Sequence, residues 1–112
     1  MAAYFIDFDG VFFKYGTMFP TDNAVQTINK LFEQGNKIYF MTLRKYKNND
    51  DEALNLYNTE EVLRNLNVKY HGIIEDIPSP RIIINDEGAV AINHIRNASL
   101  KEIIEQQDFR HI

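Results

Sequence analysis

The segment Tyr4-Phe5-Ile6-Asp7-Phe8-Asp9-Gly10-Val11 decides how this chain is read. An apolar run breaks into two carboxylates one residue apart, followed by glycine. Residues two apart on a strand point the same way, so Asp7 and Asp9 are expected to share a face. Two like charges held together repel, and the arrangement becomes favourable when a cation lies between them or one keeps a proton. Either outcome is useful chemistry: a Mg²⁺ site, or a nucleophile beside a general acid.

Working outward, Val11 to Phe19 carries Lys14-Tyr15-Gly16-Thr17 between apolar pairs and predicts a small hairpin. Pro20-Thr21-Asp22 opens a helix, capped by Thr21 or Asp22, with Val25, Ile28, Leu31 and Phe32 as its apolar face and Gly35 as its stop. Ile38 to Met41 is a second strand. The polar stretch Lys45 to Asp51 is a loop, and helix runs from about Asp51 to Leu66 in one or two pieces, with Thr59 as a fresh start and Val62, Leu63 and Leu66 buried. Gly72-Ile73-Ile74, Ile82-Ile83-Ile84 and Ala89 to Ile92 read as strands, and Ser99-Leu100-Lys101-Glu102 as a capping box opening a last helix. Apolar strands alternating with helices imply an α/β fold: one three-layer, Rossmann-like domain over residues 1–112, its sheet mostly parallel, with helices on both faces and a hairpin flap.

The bulk composition bounds the function. A chain of 112 residues makes one core. Its net charge of −4 argues against non-specific attraction to nucleic acid or anionic membrane. There is no cysteine, hence no thiolate metal site, and the three histidines His71, His94 and His111 lack ligand spacing. No apolar run reaches the roughly 20 residues of a membrane span. Asp7 and Asp9 interrupt the early apolar stretch, so no secretory signal and a cytoplasmic location are expected.

Ligands of parallel sheets bind at the carboxyl ends of the strands. Three strands end in polar residues there: Asp7, Thr42, and Asn85-Asp86. Asp7, Asp9, Thr42 and Asp86 are therefore expected to converge. Carboxylates and a hydroxyl suit a hard cation such as Mg²⁺, which keeps waters and binds substrate phosphate. With the metal present, one Asp can stay ionised and act as a nucleophile on phosphorus, and the other can donate a proton to the leaving oxygen. Gly10 lets backbone approach the phosphate.

Three strings carry a resemblance. Phe5-Ile6-Asp7-Phe8-Asp9-Gly10-Val11 resembles the first motif of the haloacid dehalogenase-like hydrolases, Phe40-Met41-Thr42-Leu43-Arg44 the second, and Ile82-Ile83-Ile84-Asn85-Asp86-Glu87 the last, in the family's order over residues 4–86. The resemblance implies a Mg²⁺-dependent phosphatase with an aspartyl-phosphate intermediate. Asp7 would be nucleophile and metal ligand. Asp9 would be the acid/base, giving its carbonyl to the metal. Asp86 would be the remaining ligand, and Gly10, Thr42 and Arg44 would hold phosphate. Thr42-Leu43-Arg44 and Ile77-Pro78-Ser79-Pro80-Arg81-Ile82 are similar to small capless members of capsule and lipopolysaccharide sugar pathways, which implies a sugar phosphate or other small phosphorylated metabolite. No cap domain fits between the motifs. The site is expected to be open unless a neighbouring subunit of a homo-oligomer closes it, with Phe12, Phe13, Lys14 and Tyr15 facing substrate.

The family's usual Lys before the last motif has no counterpart in Glu75-Asp76-Ile77-Pro78-Ser79-Pro80. Arg81, Arg44, Lys45 and Lys69 are the candidate replacements. Arg81, read as a strand start, lies four strand residues (roughly 13 Å) from the strand's end and must bend back. The missing Lys motivates one alternative, a Mg²⁺- and phosphate-binding module without turnover. A polynucleotide-end phosphatase is another, against the acidic balance.

Overall fold

A computed structural model describes residues 1–47 and 52–106. Residues 48–51, within the expected polar loop, and His111 lie outside the described residues. In chain order the elements are strand β1 (Ala3–Asp7), helix α1 (Ala24–Glu33), strand β2 (Lys37–Met41), a 3₁₀ turn (Glu52–Leu54), helix α2 (Leu56–Asn65), strand β3 (Gly72–Ile74) and helix α3 (Leu100–Gln106).

The three strands form a parallel sheet in the order β1-β2-β3. Asp7 pairs with Met41, and Met41 with Ile74, so the carboxyl ends finish flush. The sheet continues loosely past that edge: Phe8 N–H donates to Met41 O and Thr42 N–H to Ile74 O. Alternation divides the residues by face. Ile6, Ile38 and Phe40 are buried on one side, while Phe5 and Tyr39 stack at 5.6 Å on the other, where Phe5 is 49% exposed.

The core gathers on the Phe40 side. Ile28 and Leu31 of α1, Leu56 and Leu63 of α2 and Leu100 of α3 join Ile6, Ile38 and Phe40 there. Its densest part is aromatic: the Phe40 ring lies 4.6 Å from Phe8 and 5.1 Å from Phe12, centroid to centroid, and Phe12 meets Phe13 edge-on at 4.9 Å. Phe8, Phe12, Phe13 and Phe40 are completely buried. Such pairs add to area burial through their quadrupoles.

Helix ends show where local signals were spent elsewhere. α1 stops as expected, with Gly35 at φ +94 donating to Phe32 O. Its N-cap is Asn23 in the left-handed region, without a side-chain cap bond; Thr21 Oγ1 instead donates to Val11 O and Phe12 O, tying the flap to the helix. α2 is capped by Asn55, whose Oδ1 accepts from Asn58 N–H. The helical stretch divides into the 3₁₀ turn and α2, and Thr59 lies inside α2 rather than starting it. Ser99 stands just before α3 as foreseen, and its hydroxyl donates to Asp22 O at 3.4 Å.

Two expectations need correction. The hairpin is reduced to a looped flap with single-residue bridges from Phe13 to Asp9 and Pro20, since Pro20 has no N–H to continue a ladder. Ile82–Ile84 and Ala89–Ile92 are not strands. Ile82, Ile83 and Ile84 are 82%, 61% and 95% exposed and extend no sheet edge. Apolar character alone reports a tendency to bury, and a strand also needs a partner. The architecture is a small α/β unit, consistent with a Rossmann-like arrangement but with a smaller sheet than expected. No described helix is long and apolar enough to cross a membrane.

Phe40→Ala should lower the unfolding free energy by about 3–5 kcal/mol, through lost burial and an unfilled cavity. Urea unfolding of the variant beside wild type measures this.

Candidate functional site

The carboxyl edge of the sheet brings Asp7 and Asp9 together with two arginines. Asp7 ends β1 on the Phe5 side and keeps 32% of its side chain exposed. Arg81 Nη1 lies 3.4 Å from Asp7 Oδ1. Burial raises the Asp7 carboxyl above its ordinary range; Arg81 pulls it down, the nearby Asp9 charge pushes it up, and burial prevails.

Arg81 reaches Asp7 because its segment never becomes a strand. The chain turns after β3, with Ile77 N–H donating to Thr42 O, and Arg81 Nη2 donates back to Ile77 O. The expected 13 Å obstacle is therefore absent. Arg81 Nε is buried without a partner, so its set of acceptors is incomplete. The other candidates for the missing Lys go elsewhere: Lys69 pairs with Glu33 at 2.8 Å and Lys45 with Asp76 at 3.5 Å.

Arg44 has a different position from the expected one. It is 5% exposed and forks onto Asp9, with Nη2 2.7 Å from Oδ1 and Nε 3.2 Å from Oδ2. Nη1 donates to Thr59 Oγ1 and Nη2 to Thr17 O, while the guanidinium lies over Phe13 at 5.0 Å. Its donors are spent inside the protein, so Arg44 is an internal clamp on Asp9 and not a free phosphate ligand. Thr17 and Thr59 were not foreseen as its partners. They are 27 and 15 residues away, and nothing local in the sequence marks them.

Thr42 is completely buried, and its Oγ1 accepts from Arg44 N–H at 3.0 Å. It shapes the turn after β2. Gly10, at φ +88, needs its glycine, but the space a Cβ would take is bounded by Arg96 Cγ at 3.2 Å and Tyr15 Cδ2 at 3.6 Å. Phe12 and Phe13 belong to the core rather than facing substrate, whereas Lys14 and Tyr15 are exposed. Asp86 lies in the exposed segment after Arg81, off any strand. Among the described residues no three carboxylate or imidazole groups are gathered at metal-binding spacing.

At the end of β1 the structure gathers the Asp7 and Asp9 carboxylates, and Mg²⁺ is commonly bound through one or two carboxylates while retaining most of its waters.

No family model matches this chain, and no curated protein matches it. Among solved structures, a crystal structure of a structural-genomics target from Vibrio cholerae is similar in fold. Its TM-score is 0.57 at 21% identity, covering 94% of this chain and 95% of that one. The likeness supports a small α/β protein with a parallel sheet and helices. At this identity it speaks for the fold alone.

Two outcomes follow from the two ion pairs. Arg44→Ala leaves Asp9 without its fork and Thr59 and Thr17 O without a donor. It should lower stability by about 3 kcal/mol in urea unfolding, with Arg44→Lys recovering only part. Asp7 behaves oppositely. A carboxyl raised in the folded state contributes stability that is present below its unfolded value and lost as pH rises through its folded value. Asp7→Asn should therefore raise the melting temperature near pH 7, and the gain should shrink as pH falls toward about 3.9, the ordinary aspartate value. Thermal unfolding of both proteins across that range checks the sign.

Proposed function

We propose that the protein is a Mg²⁺-dependent phosphomonoester hydrolase that works through an aspartyl-phosphate on Asp7, with a sugar phosphate or similar small metabolite as substrate. The observation that carries this reading is the unequal treatment of the two carboxylates. Asp9 is gripped by the buried Arg44, while Asp7 remains half-exposed at the strand end with Arg81 at 3.4 Å. The first two motif strings, through Asp7 and Asp9 and through Thr42, also support it.

In this reading Asp7 Oδ attacks phosphorus, and the bond from phosphorus to the ester oxygen breaks with its electron pair on the leaving group. Arg81 offsets the repulsion between Asp7 and the incoming dianion, and its unpaired Nε is a donor available to a phosphoryl oxygen once the side chain shifts. Asp9 protonates the leaving oxygen; its carboxylate must first rotate off Arg44 and take up a proton from solvent. Water then attacks the phosphorus of the acyl phosphate and gives its proton to Asp9. Inorganic phosphate leaves, and the Asp7 carboxylate is restored. The Asp7 carboxylate and the Asp9 carbonyl would hold Mg²⁺, which would supply further charge neutralisation.

One observation favours a second reading, a phosphate-binding module without turnover: both Asp9 oxygens are engaged by Arg44. Phosphate release from an aryl phosphate, with and without Mg²⁺, separates the two. The hydrolase reading expects Mg²⁺-dependent release that disappears in Asp7→Asn and falls about a hundredfold in kcat/KM in Arg81→Gln. Release indifferent to Asp7→Asn would overturn it. Mg²⁺-dependent thermal stabilisation without any release would establish the binding module.

A further inference from the structure

We infer that Arg96 and Tyr15 form a second anion-binding position beside Gly10, which selects phosphate esters carrying a further anionic group, a carboxylate or a second phosphate. The inference rests on the phosphatase reading for where the reacting phosphate lies, next to Asp7.

The position is built by a contact between segments far apart in sequence. Asn97, in the left-handed region at φ +64, donates its N–H to Gly10 O at 2.8 Å, and its Oδ1 accepts from Tyr15 N–H at 2.7 Å. Ala98 N–H closes a turn on Ile95 O. These bonds pin residues 95–98 onto the flap immediately after Asp9. They also fix where residue 96 emerges. Its stem runs across Gly10, through space that any Cβ there would restrict.

The Arg96 guanidinium carbon lies 3.8 Å from the Tyr15 ring centroid. Stacking holds its plane and leaves its edge N–H groups free. Arg96 has no acidic partner among the described residues, although acidic side chains outnumber basic ones 16 to 12 in the chain. The other two arginines at this edge, Arg44 and Arg81, are both held by carboxylates. Arg96 is the one of the three whose planar fork is positioned and unspent. A fork of this kind matches a carboxylate or phosphate bidentately. Because the backbone clamp and the ring pre-order it, little freedom is lost on binding.

The test uses calorimetric titration of the full chain in Mg²⁺, in the Asp7→Asn background so that ligand is not consumed. The ligands are glucose 6-phosphate, 6-phosphogluconate and fructose 1,6-bisphosphate. They share a phosphate ester on a six-carbon frame; the first lacks a second anion, the second adds a carboxylate and the third a phosphate. At least one of the latter two should bind about tenfold more tightly than glucose 6-phosphate, and which one does so identifies the group. Arg96→Gln should remove that preference while leaving glucose 6-phosphate affinity and melting temperature unchanged, and Arg96→Lys should restore only part of it. Equal affinity for all three ligands, a preference untouched by Arg96→Gln, or no binding of any of them overturns the inference. A preference that depends on Arg96 in a protein that releases no phosphate would retain this position and remove the proposed reaction. Hydrolysis of glucose 6-phosphate without any such preference would do the reverse.

Discussion

A guanidinium buried at the carboxyl edge of the sheet holds the site together. Taking Arg44 out of water is costly, and the cost is offset only because its nitrogens find acceptors: the Asp9 carboxylate, Thr59 Oγ1 and Thr17 O. Those acceptors come from the loop after β1, from α2 and from the flap. Arg44 itself follows β2. One side chain therefore fixes the mutual positions of four segments, and its guanidinium lies over the buried rings of Phe8 and Phe13. Loosening any of these partners leaves a buried donor unsatisfied, which is why the flap is held although it has only single-residue bridges of its own.

The same clamp distinguishes two carboxylates that are chemically alike. Asp9 is engaged at both oxygens by a partner that is 4% exposed at the side chain, whereas Asp7 meets Arg81 at one longer distance with both groups partly solvated. At 3.4 Å and an effective dielectric constant near 20, such a pair is worth a few kcal/mol before solvent screening reduces it. In the proposed reaction that is small enough for an incoming dianion to compete for Arg81. Asp9 gives order and Asp7 gives availability. The raised Asp7 carboxyl is the thermodynamic sign of that division: its charge opposes folding mildly.

Much of the frame is legible from local pattern. β1, β2 and β3, the Gly35 stop of α1 and the presence of a helix before Val68 follow from period, caps and glycine, which act over a few residues, whereas the start of that helix at Asn55 rather than Thr59 does not. Asp7 and Asp9 are legible as a pair because residues two apart at a strand end lie on one face. The isoleucines at 82–84 mislead by the same logic. Their pattern is that of a strand, but no edge receives them, and Asp86 is left away from the pair it was expected to complete.

The amino-acid order by itself determined the alternation of strand and helix, the acidic strand end and the absence of thiolate chemistry, because each depends on neighbours within one turn or one pleat. Only the tertiary structure decided which cation serves which carboxylate. Arg44 and Asp9 are 35 residues apart, Arg81 and Asp7 lie on segments joined through two helices, and Arg96 meets Tyr15 across most of the chain. Charge pairing at that range is chosen by burial and by which loops the packed core brings together, and neither leaves a mark in a local run of sequence.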